Sequence, residues 1–281
     1  MTSIIKTVDY QSENVSRDFV DSLQQTGFAV LHNHPIHFNL ITSIYEEWAT
    51  FFNSDDKHSY KFNTETQDGY FPYRYENAKG YAVKDLKEFF HYYKWGKFPD
   101  NMSGNTNLIF HELLKIGQEL LAWIDKYSPD NIKSNYSIPL SEMIENSQMN
   151  VLRIIHYPPL EDKITDRSIR ASAHGDINLI TILLTGSQSG LQVLSKGDEW
   201  MDVKCDLGWL VINAGDMLSE CSRGYFPSTI HQVINLVGYA RKLPRYTMPL
   251  FIHPKDEVIL SNRYTARSFL DERLKEIGLK S

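Results

Sequence analysis

The sequence is poor in the features that mark secreted and membrane-spanning proteins. Its 281 residues include two cysteines, Cys205 and Cys221, which are too few for the disulfide framework of a small secreted protein. No apolar run approaches the roughly 18 residues that a membrane span requires, and residues 1–10 lack the apolar core of a signal peptide. We therefore expect a cytoplasmic protein that neither crosses nor coats a membrane.

The sequence also lacks an excess of positive charge. Lysine and arginine total 29 against 35 aspartates and glutamates, which gives a net charge of -6. Nucleic-acid binding normally relies on a basic surface that contacts phosphates, so a nucleic-acid partner is not expected. With 42% hydrophobic and 23% charged residues and no low-complexity linker, the composition is that of an ordinary folded chain. Nothing in it predicts an oligomeric state.

The hydrophobic pattern changes near residue 148. Before that point most apolar residues recur at helical spacing, as in Val15, Phe19 and Leu23, so we predict a mostly helical part over residues 1–147. One early strand is predicted at 27–31, within Gly-Phe-Ala-Val-Leu, and we expect it to join a later sheet. Because no linker separates the two parts, we predict a single domain over residues 1–281.

From Met149 onward, short runs rich in Val, Ile and Leu alternate with Gly, Asn and Pro, which favours an antiparallel β-sandwich or barrel. We predict strands within 149–157, 178–185, 191–195, 199–204, 209–213, 229–236 and 246–252. A final helix is predicted over Phe269–Leu279. Residues 66–98 are dense in aromatic side chains, and we expect most of them to pack in the core and some to line a pocket.

Three residues of the β-rich part could bind a metal ion. His174 and Asp176 are two residues apart, so in an extended chain their side chains project to the same face. His231 lies in another strand-like run, whose pairing could bring its ring to the same place. Two histidines and one carboxylate on one side of a metal suit Fe(II), because three adjacent coordination positions stay open. Zinc normally prefers a closed tetrahedron or a single open position.

A second pattern, Arg245-Tyr-Thr247, offers a receptor for a carboxylate. Arg245 and Thr247 lie on one face of a predicted strand. A guanidinium binds a carboxylate through two parallel hydrogen bonds, and the hydroxyl adds a third donor. The alternative interpretation is an arginine at a strand edge that pairs with an acidic neighbour on the surface.

Five motifs in this order resemble the non-haem Fe(II)- and 2-oxoglutarate-dependent dioxygenases of the branch similar to isopenicillin N synthase. They are His174-x-Asp176, Gly190-Leu-Gln-Val193, Trp209-Leu-Val-Ile-Asn-Ala-Gly-Asp216, Ser228-Thr-x-His231-x-Val233 and Arg245-x-Thr247-x-Pro249-x-Phe251. The likeness extends to residues 27–34, 85–88 and 152–159, and so covers nearly the whole chain. It implies a mainly β fold with α, in which helices pack outside a distorted double-stranded β-helix (jelly-roll) core.

The resemblance also implies roles for individual residues. His174, Asp176 and His231 correspond to the iron ligands, and Arg245 and Thr247 to the residues that hold the far carboxylate of 2-oxoglutarate. Tyr157 matches a family tyrosine that also reaches this co-substrate. Two positions depart from the family pattern: Thr247 replaces the usual serine, and Ile155 stands where many plant members carry an asparagine.

The resemblance implies an enzyme whose cofactors are Fe(II), 2-oxoglutarate as co-substrate, and dioxygen. It predicts that decarboxylation of 2-oxoglutarate to succinate is coupled to hydroxylation, desaturation or cyclisation of a small-molecule substrate. The alternatives are an iron oxidase of the same fold that does not use 2-oxoglutarate, a non-catalytic ligand-binding relative, and a zinc hydrolase.

Other polar residues are expected to be structural. His32, His34 and His37 crowd together, but Pro35 interrupts them and their spacing fits no single helix or strand face. His156 adjoins Tyr157 and by strand alternation should point away from it, as a hydrogen-bonded structural histidine.

Lys87 and Glu88 are expected, from composition alone, to be ordinary surface charges. Their family-like context alone keeps another possibility open, which is that they help to place the substrate loop.

Overall fold

The computed structural model describes residues 5–76, 83–160, 168–186 and 188–276. The helices are α1 (Val15–Thr26), α2 (Phe38–Asn53), α3 (Asn105–Tyr127), α4 (Asp130–Lys133), α5 (Leu140–Met143), α6 (Asp216–Cys221) and α7 (Ala266–Glu276), with 3-10 turns at Asp55–Tyr60 and Gly238–Lys242. The strands are β1 (Thr7–Asp9), β2 (Phe28–His32), β3 (Gly69–Phe71), β4 (Glu88–Tyr92), β5 (Val151–Tyr157), β6 (Ala171–His174), β7 (Ile180–Leu184), β8 (Leu191–Leu194), β9 (Trp200–Asp202), β10 (Leu210–Ala214), β11 (His231–Val233) and β12 (Arg245–Ile252).

The strands form two sheets that face each other. The large sheet has the order β1-β2-β10-β7-β12-β5-β4-β3, and the small sheet has the order β6-β11-β8-β9. Among the described strands, β1 and β2 pair in parallel and every other pair is antiparallel. This is the jelly-roll arrangement that the sequence predicted, with the helices outside it.

The long helix α3 packs onto the outer face of the large sheet through one apolar stripe. Ile109, Leu113, Ile116 and Leu120 recur at helical spacing and are almost fully buried. Gly117 lies where the helix approaches β12, since a β-carbon there would come within 2.1 Å of the Ile252 side chain. A larger residue at this position would push the helix away from the sheet.

The strand predictions for the first half were incomplete. Each predicted run after residue 148 contains a strand, although β6 was not predicted. Among the described residues before 148 there are four strands, so the prediction of a single early strand was wrong: β1, β3 and β4 accompany β2. The last helix begins three residues earlier than predicted, at Ala266. The predicted end of that helix at Leu279, and Tyr81 of the aromatic segment, lie outside the described residues.

Within the part of the chain that the structure describes, no helix combines the length and apolar character needed to cross a membrane.

Candidate functional site

The pairing of β6 with β11 brings two of the predicted residues together. His174 ends β6 and His231 begins β11, and the two are direct cross-strand partners. Their ring centroids lie 4.4 Å apart. Asp176 follows two residues after β6, and its Oδ1 lies 3.8 Å from Nε2 of each histidine. In the described ranges this is the one group of three side chains that could hold a metal ion, with possible ligand atoms within 4.8 Å of one another.

The large sheet holds the carboxylate of Asp176 from the other side. The Oδ2 atom accepts hydrogen bonds from the Thr181 hydroxyl at 2.6 Å and from the Asn213 side-chain amide at 2.8 Å. Thr181 in β7 and Asn213 in β10 are cross-strand partners, so both donors have fixed positions. Because Oδ2 is held in this way, Oδ1 is left facing the two imidazoles.

Backbone carbonyls orient both imidazoles. Nδ1 of His174 lies 2.7 Å from the Ser172 carbonyl oxygen, and Nδ1 of His231 lies 3.2 Å from the Thr229 carbonyl oxygen. A carbonyl can only accept, so Nδ1 is assigned the proton and Nε2 the free lone pair. This is how outer partners fix the tautomer of a metal-binding histidine.

Electrostatics favour the protonation states that bind a cation. Burial, followed by the neighbouring His231, lowers the pKa of His174 to about 4. Burial alone would raise the pKa of Asp176, but His231, His174 and the two hydrogen bonds outweigh it and hold that pKa below its ordinary value. A neutral imidazole and an ionised carboxylate are the forms that a metal ion needs as ligands.

Arg245 lies inside the molecule at the start of β12. It is only 4% exposed, and its guanidinium carbon lies 5.0 Å from the ring centre of Tyr157, its cross-strand partner. Nε donates to the Gln188 carbonyl oxygen at 3.2 Å, whereas the buried Nη1 has no acceptor. Among the described residues no acidic side chain pairs with Arg245, so the surface ion-pair interpretation was wrong. An unpaired buried donor of this kind fits a ligand carboxylate.

Two neighbours of Arg245 differ from the family pattern. The hydroxyl of Thr247, two residues along the strand, donates to the Leu184 carbonyl oxygen at 3.3 Å. Ile155, the cross-strand partner of Thr247, packs with Phe89 and Tyr157 in an apolar cluster. The position that many plant members fill with asparagine is therefore apolar here.

One cavity between the two sheets connects these groups. It has an empty volume of about 590 Å³, which includes space open to solvent. The residues that line it include His174, Asp176, His231, Tyr157, Arg245 and Thr247. Apolar side chains from both sheets complete the wall: Phe28, Leu183, Leu191, Val211 and Val233. The donor set and the unpaired guanidinium fit a metal ion and a dicarboxylate in one cavity.

Lys87 also lines this cavity, and the expectation of a surface charge was wrong. It is 6% exposed, and its Nζ lies 2.9 Å from Glu76 Oε2 and 3.0 Å from Asp85 Oδ2. Burial would lower the pKa of Lys87, but the two carboxylates outweigh it and raise that pKa above its usual range. Lys87 lies two and four residues before Phe89 and His91, which face inward, so in an extended chain the three side chains share one face. This alternation was the sequence signal that Lys87 is buried.

Arg153 is a second cation of the cavity wall that sequence reasoning missed. It lies on β5 and lines the cavity on the same strand face as Ile155 and Tyr157. Its guanidinium donates to Glu76 at 3.1 Å and to His91 Nε2 at 2.7 Å. Burial opposes ionisation of Glu76, yet the charges of Arg153 and Lys87 hold its pKa well below the usual range.

Glu88 is buried as well, so its predicted surface position was wrong. It accepts hydrogen bonds from His156 at 2.7 Å, from Lys57 at 3.1 Å and from the Tyr70 hydroxyl. His156 stacks on Tyr246 with ring centroids 4.6 Å apart. His156 is therefore a hydrogen-bonded structural histidine, as expected. Of the N-terminal histidines, His34 bonds the Gly208 carbonyl oxygen through Nε2.

Comparison with known proteins identifies the family. A model of the 2OG-Fe(II) oxygenase superfamily matches residues 147–254, and a model of the N-terminal region of the non-haem dioxygenase in morphine synthesis matches residues 4–110. A solved candidate oxygenase from Shewanella oneidensis is 49% identical over 98% of both chains, with a TM-score of 0.89. The chain therefore belongs to the 2OG-Fe(II) oxygenase superfamily.

More distant relatives agree with this assignment. The 2-oxoglutarate-dependent dioxygenase citB of Monascus ruber is 41% identical over 97 residues, which are 34% of this chain and 30% of citB. The first curated relatives are matched over only 30% to 38% of their own length. T7H of Neurospora crassa, solved with alpha-KG, has the same fold at 21% identity, with a TM-score of 0.80 over 98% of both chains.

The family assignment confirms several predictions. The jelly-roll fold, the class of enzyme and the cofactor set of Fe(II), 2-oxoglutarate and dioxygen are those of the superfamily. No observation favours the oxidase, the binding module or the zinc hydrolase.

Proposed function

We propose that this chain binds Fe(II) through His174, Asp176 and His231 and couples decarboxylation of 2-oxoglutarate to oxidation of a small organic substrate. The observation that carries the proposal is the set of atoms left without partners inside one cavity. Oδ1 of Asp176 and Nε2 of both histidines face one another at one place in it. The donor Nη1 of Arg245 stays unpaired elsewhere in the same wall.

The proposed roles follow from the donor types. Arg245 and Thr247 hold the far carboxylate of 2-oxoglutarate, and Tyr157 adds a phenol beside the guanidinium. When bound, iron and 2-oxoglutarate together supply the activation of dioxygen, with succinate and carbon dioxide as co-products. Hydroxylation, desaturation or cyclisation of the substrate are the possible outcomes. The protein holds the ligands in place through Thr181 and Asn213 and excludes water with the apolar cavity wall.

The substrate side of the cavity is the wall that carries Lys87 and Arg153. Their charges are balanced by Glu76 and Asp85, so the wall offers hydrogen-bond donors without a large net charge. Arg153 already donates from Nε and Nη1, whereas the Lys87 ammonium has three donors and two carboxylate partners. We therefore propose a small-molecule substrate with an acceptor oxygen, such as a carbonyl or carboxylate, that binds Lys87.

Two further assignments are proposals of the same kind. A single oxygenase domain over residues 1–281 is supported by β2 and β4, which come from the helical part and lie in the same sheet as β5 and β10. A cytoplasmic location is supported by the free thiols of Cys205 and Cys221, which suit a reducing compartment.

The proposal is tested by purifying the chain with Fe(II) and measuring succinate formed and oxygen consumed across a panel of small carbonyl and carboxylic compounds. We expect succinate to match oxygen for any accepted substrate, and expect Lys87→Met to lower kcat/KM by about 10-fold for such a substrate. Oxygen consumption without succinate would instead indicate the same-fold oxidase. The matched control is Lys94→Met, because Lys94 is exposed and does not line the cavity.

A further inference from the structure

The side chain of Phe28, the first residue of β2, packs against one of the three proposed metal ligands. Its ring meets the His231 imidazole edge to face, with centroids 5.5 Å apart and ring planes at 72°. Phe28 is 1% exposed and lines the cavity, so this contact lies inside the site. β2 comes from the helical part of the chain, whereas His231 begins β11 in the small sheet. The contact therefore joins the two parts of the chain at the proposed metal site.

The hydrogen bond that orients His231 is longer than its counterpart at His174. Nδ1 of His231 lies 3.2 Å from the Thr229 carbonyl oxygen, whereas Nδ1 of His174 lies 2.7 Å from the Ser172 carbonyl oxygen. Because N–H···O bonds are commonly about 2.9–3.0 Å long, the bond of His231 is the weaker of the two. The His231 side chain is also 11% exposed, against 35% for His174. The direction of the His231 ring therefore depends more on its packing.

The residue whose carbonyl accepts this bond is itself anchored to the segment that carries Phe28. The hydroxyl of Thr229 donates to the Thr26 carbonyl oxygen at 2.9 Å. Thr26 ends α1, and Gly27 follows with a φ of +73°. A β-carbon at Gly27 would come within 2.3 Å of the Thr229 hydroxyl oxygen, and the positive φ also disfavours any side chain. The close approach of Thr26 and Thr229 thus requires glycine between α1 and β2.

The backbone of Phe28 is held in place as well. Its carbonyl oxygen accepts hydrogen bonds from the Ser22 hydroxyl at 2.7 Å and from the Thr26 hydroxyl at 2.9 Å. Phe28 is also the cross-strand partner of Asn213, whose side-chain amide donates to Asp176. The ring of Phe28 therefore has a fixed position relative to the carboxylate of the proposed metal site.

We propose that the segment Thr26-Gly27-Phe28 positions the His231 imidazole for metal binding, Phe28 through its ring and Thr26 through its bond to Thr229. The inference rests on the proposed function, because it takes His231 as a ligand of Fe(II). Phe28 and Thr26 are positioning residues, since they act through His231. An imidazole that already points at the metal position loses less rotational freedom on binding, so the metal binds more tightly.

The first test removes the ring but keeps an apolar side chain. Binding of Fe(II) to the wild type, Phe28→Leu and Phe19→Leu is measured by calorimetry under anaerobic conditions. Phe28→Leu is expected to weaken binding by about 10-fold, the lower end of the range for an outer partner of a ligand. Phe19 is the matched control, because it is also fully buried and meets the Trp123 ring edge to face, but belongs to a different apolar cluster. Phe19→Leu should keep the wild-type affinity.

A second pair of variants tests the anchor and leaves the ring intact. Thr229→Val keeps a similar shape but removes the hydroxyl that donates to Thr26, and should weaken Fe(II) binding by about 10-fold. Thr229→Ser keeps the hydroxyl and should bind Fe(II) like the wild type.

Visible absorption with Fe(II) and 2-oxoglutarate separates positioning from stability. A variant that is only less stable gives a weaker charge-transfer band at the wild-type wavelength, whereas a rotated imidazole shifts the band. We expect a shift in Phe28→Leu and Thr229→Val, and none in Phe19→Leu and Thr229→Ser.

The outcomes are distinguishable. Wild-type Fe(II) affinity in both Phe28→Leu and Thr229→Val would overturn the inference and leave the proposed function standing. Equal losses in Phe28→Leu and Phe19→Leu, or a band that weakens without a shift, would overturn it too. If Phe28→Leu does not fold, the comparison of Thr229→Val with Thr229→Ser tests the inference by the same criteria. If the wild-type protein binds no Fe(II), the proposed function and the inference both fail.

Discussion

Within the described part of the chain, a histidine lies against a buried carboxylate at two places, and the two clusters differ in which polar atoms they leave without a hydrogen bond. In the Glu88 cluster both carboxylate oxygens accept hydrogen bonds, and His156 donates directly at 2.7 Å. In the Asp176 cluster the nearest imidazole nitrogens lie 3.8 Å away, beyond hydrogen-bond distance. The first cluster is complete without a ligand, whereas the second leaves three ligand atoms facing one point.

Strand alternation explains why the clusters differ. His156 and Tyr157 are neighbours in β5 and point to opposite faces, so one side chain packs under the helices and the other lines the cavity. We therefore expect the Glu88 cluster to serve stability, and we propose that the Asp176 cluster binds the metal ion. Each prediction below changes one of the two clusters.

The largest effect is expected for His231→Ala. This change removes one of the three proposed metal ligands, so it should abolish measurable Fe(II) binding. Loss of an outer partner, by comparison, typically weakens binding by about 10- to 100-fold. Calorimetry of Fe(II) binding under anaerobic conditions measures the effect. His156→Gln is the matched control and should bind Fe(II) like the wild type. Equal losses in both variants would mean that the two clusters are not functionally distinct.

The second effect is expected on stability. Glu88→Gln removes the charge that Lys57 and His156 face in a buried position, and breaking a buried pair in this way costs about 3–5 kcal/mol. Urea unfolding measures the difference, and Fe(II) affinity serves as the control because it should not change. A Glu88→Gln variant as stable as the wild type would contradict the structural role of this cluster.

The third effect is a pH dependence of the same cluster. Burial would raise the pKa of Glu88, but hydrogen bonds from His156, Tyr70 and Lys57 hold it below its ordinary value of 4.5. A depressed pKa contributes stability that is present above about pH 4.5 and is lost as the pH falls toward the folded-state pKa. The stability of the wild type should therefore fall more steeply than that of Glu88→Gln below pH 4.5. Parallel slopes in urea unfolding at several pH values would contradict this.

The smallest effect is expected for Thr181→Val. It removes the hydroxyl that holds Asp176 Oδ2 while keeping a similar shape, and should weaken Fe(II) binding by about 10-fold. Thr185→Val is the control, since the Thr185 hydroxyl donates only to carbonyl oxygens of Asp206 and Trp209. If both variants bind Fe(II) equally well, the orientation of Asp176 does not depend on this bond.

The sequence predicted the parts of the site that lie close together or follow strand alternation. The pair His174-x-Asp176, the later His231 and the pattern Arg245-x-Thr247 each gave a local signal. Composition did not reveal Lys87 and Arg153, because charged residues usually lie on the surface. Lys87 could have been found from its alternation with Phe89 and His91, whereas Arg153 takes its place from the pairing of β5 with β4, opposite His91.

The missed strands have a similar explanation. β1 and β3 are three residues long, which is too short for a hydrophobic period to show. β4 reads Glu-Phe-Phe-His-Tyr and is buried on both faces, so the alternation of a half-exposed strand is absent.

The central claim is that His174, Asp176 and His231 bind Fe(II) next to a site for 2-oxoglutarate. It is tested most directly by anaerobic titration of the purified protein with Fe(II) and 2-oxoglutarate, followed by visible absorption. We predict a weak metal-to-ligand charge-transfer band that requires both additions, is retained in His156→Gln and is absent in His231→Ala. A wild-type protein without this band, or a band that survives His231→Ala unchanged, would contradict the account.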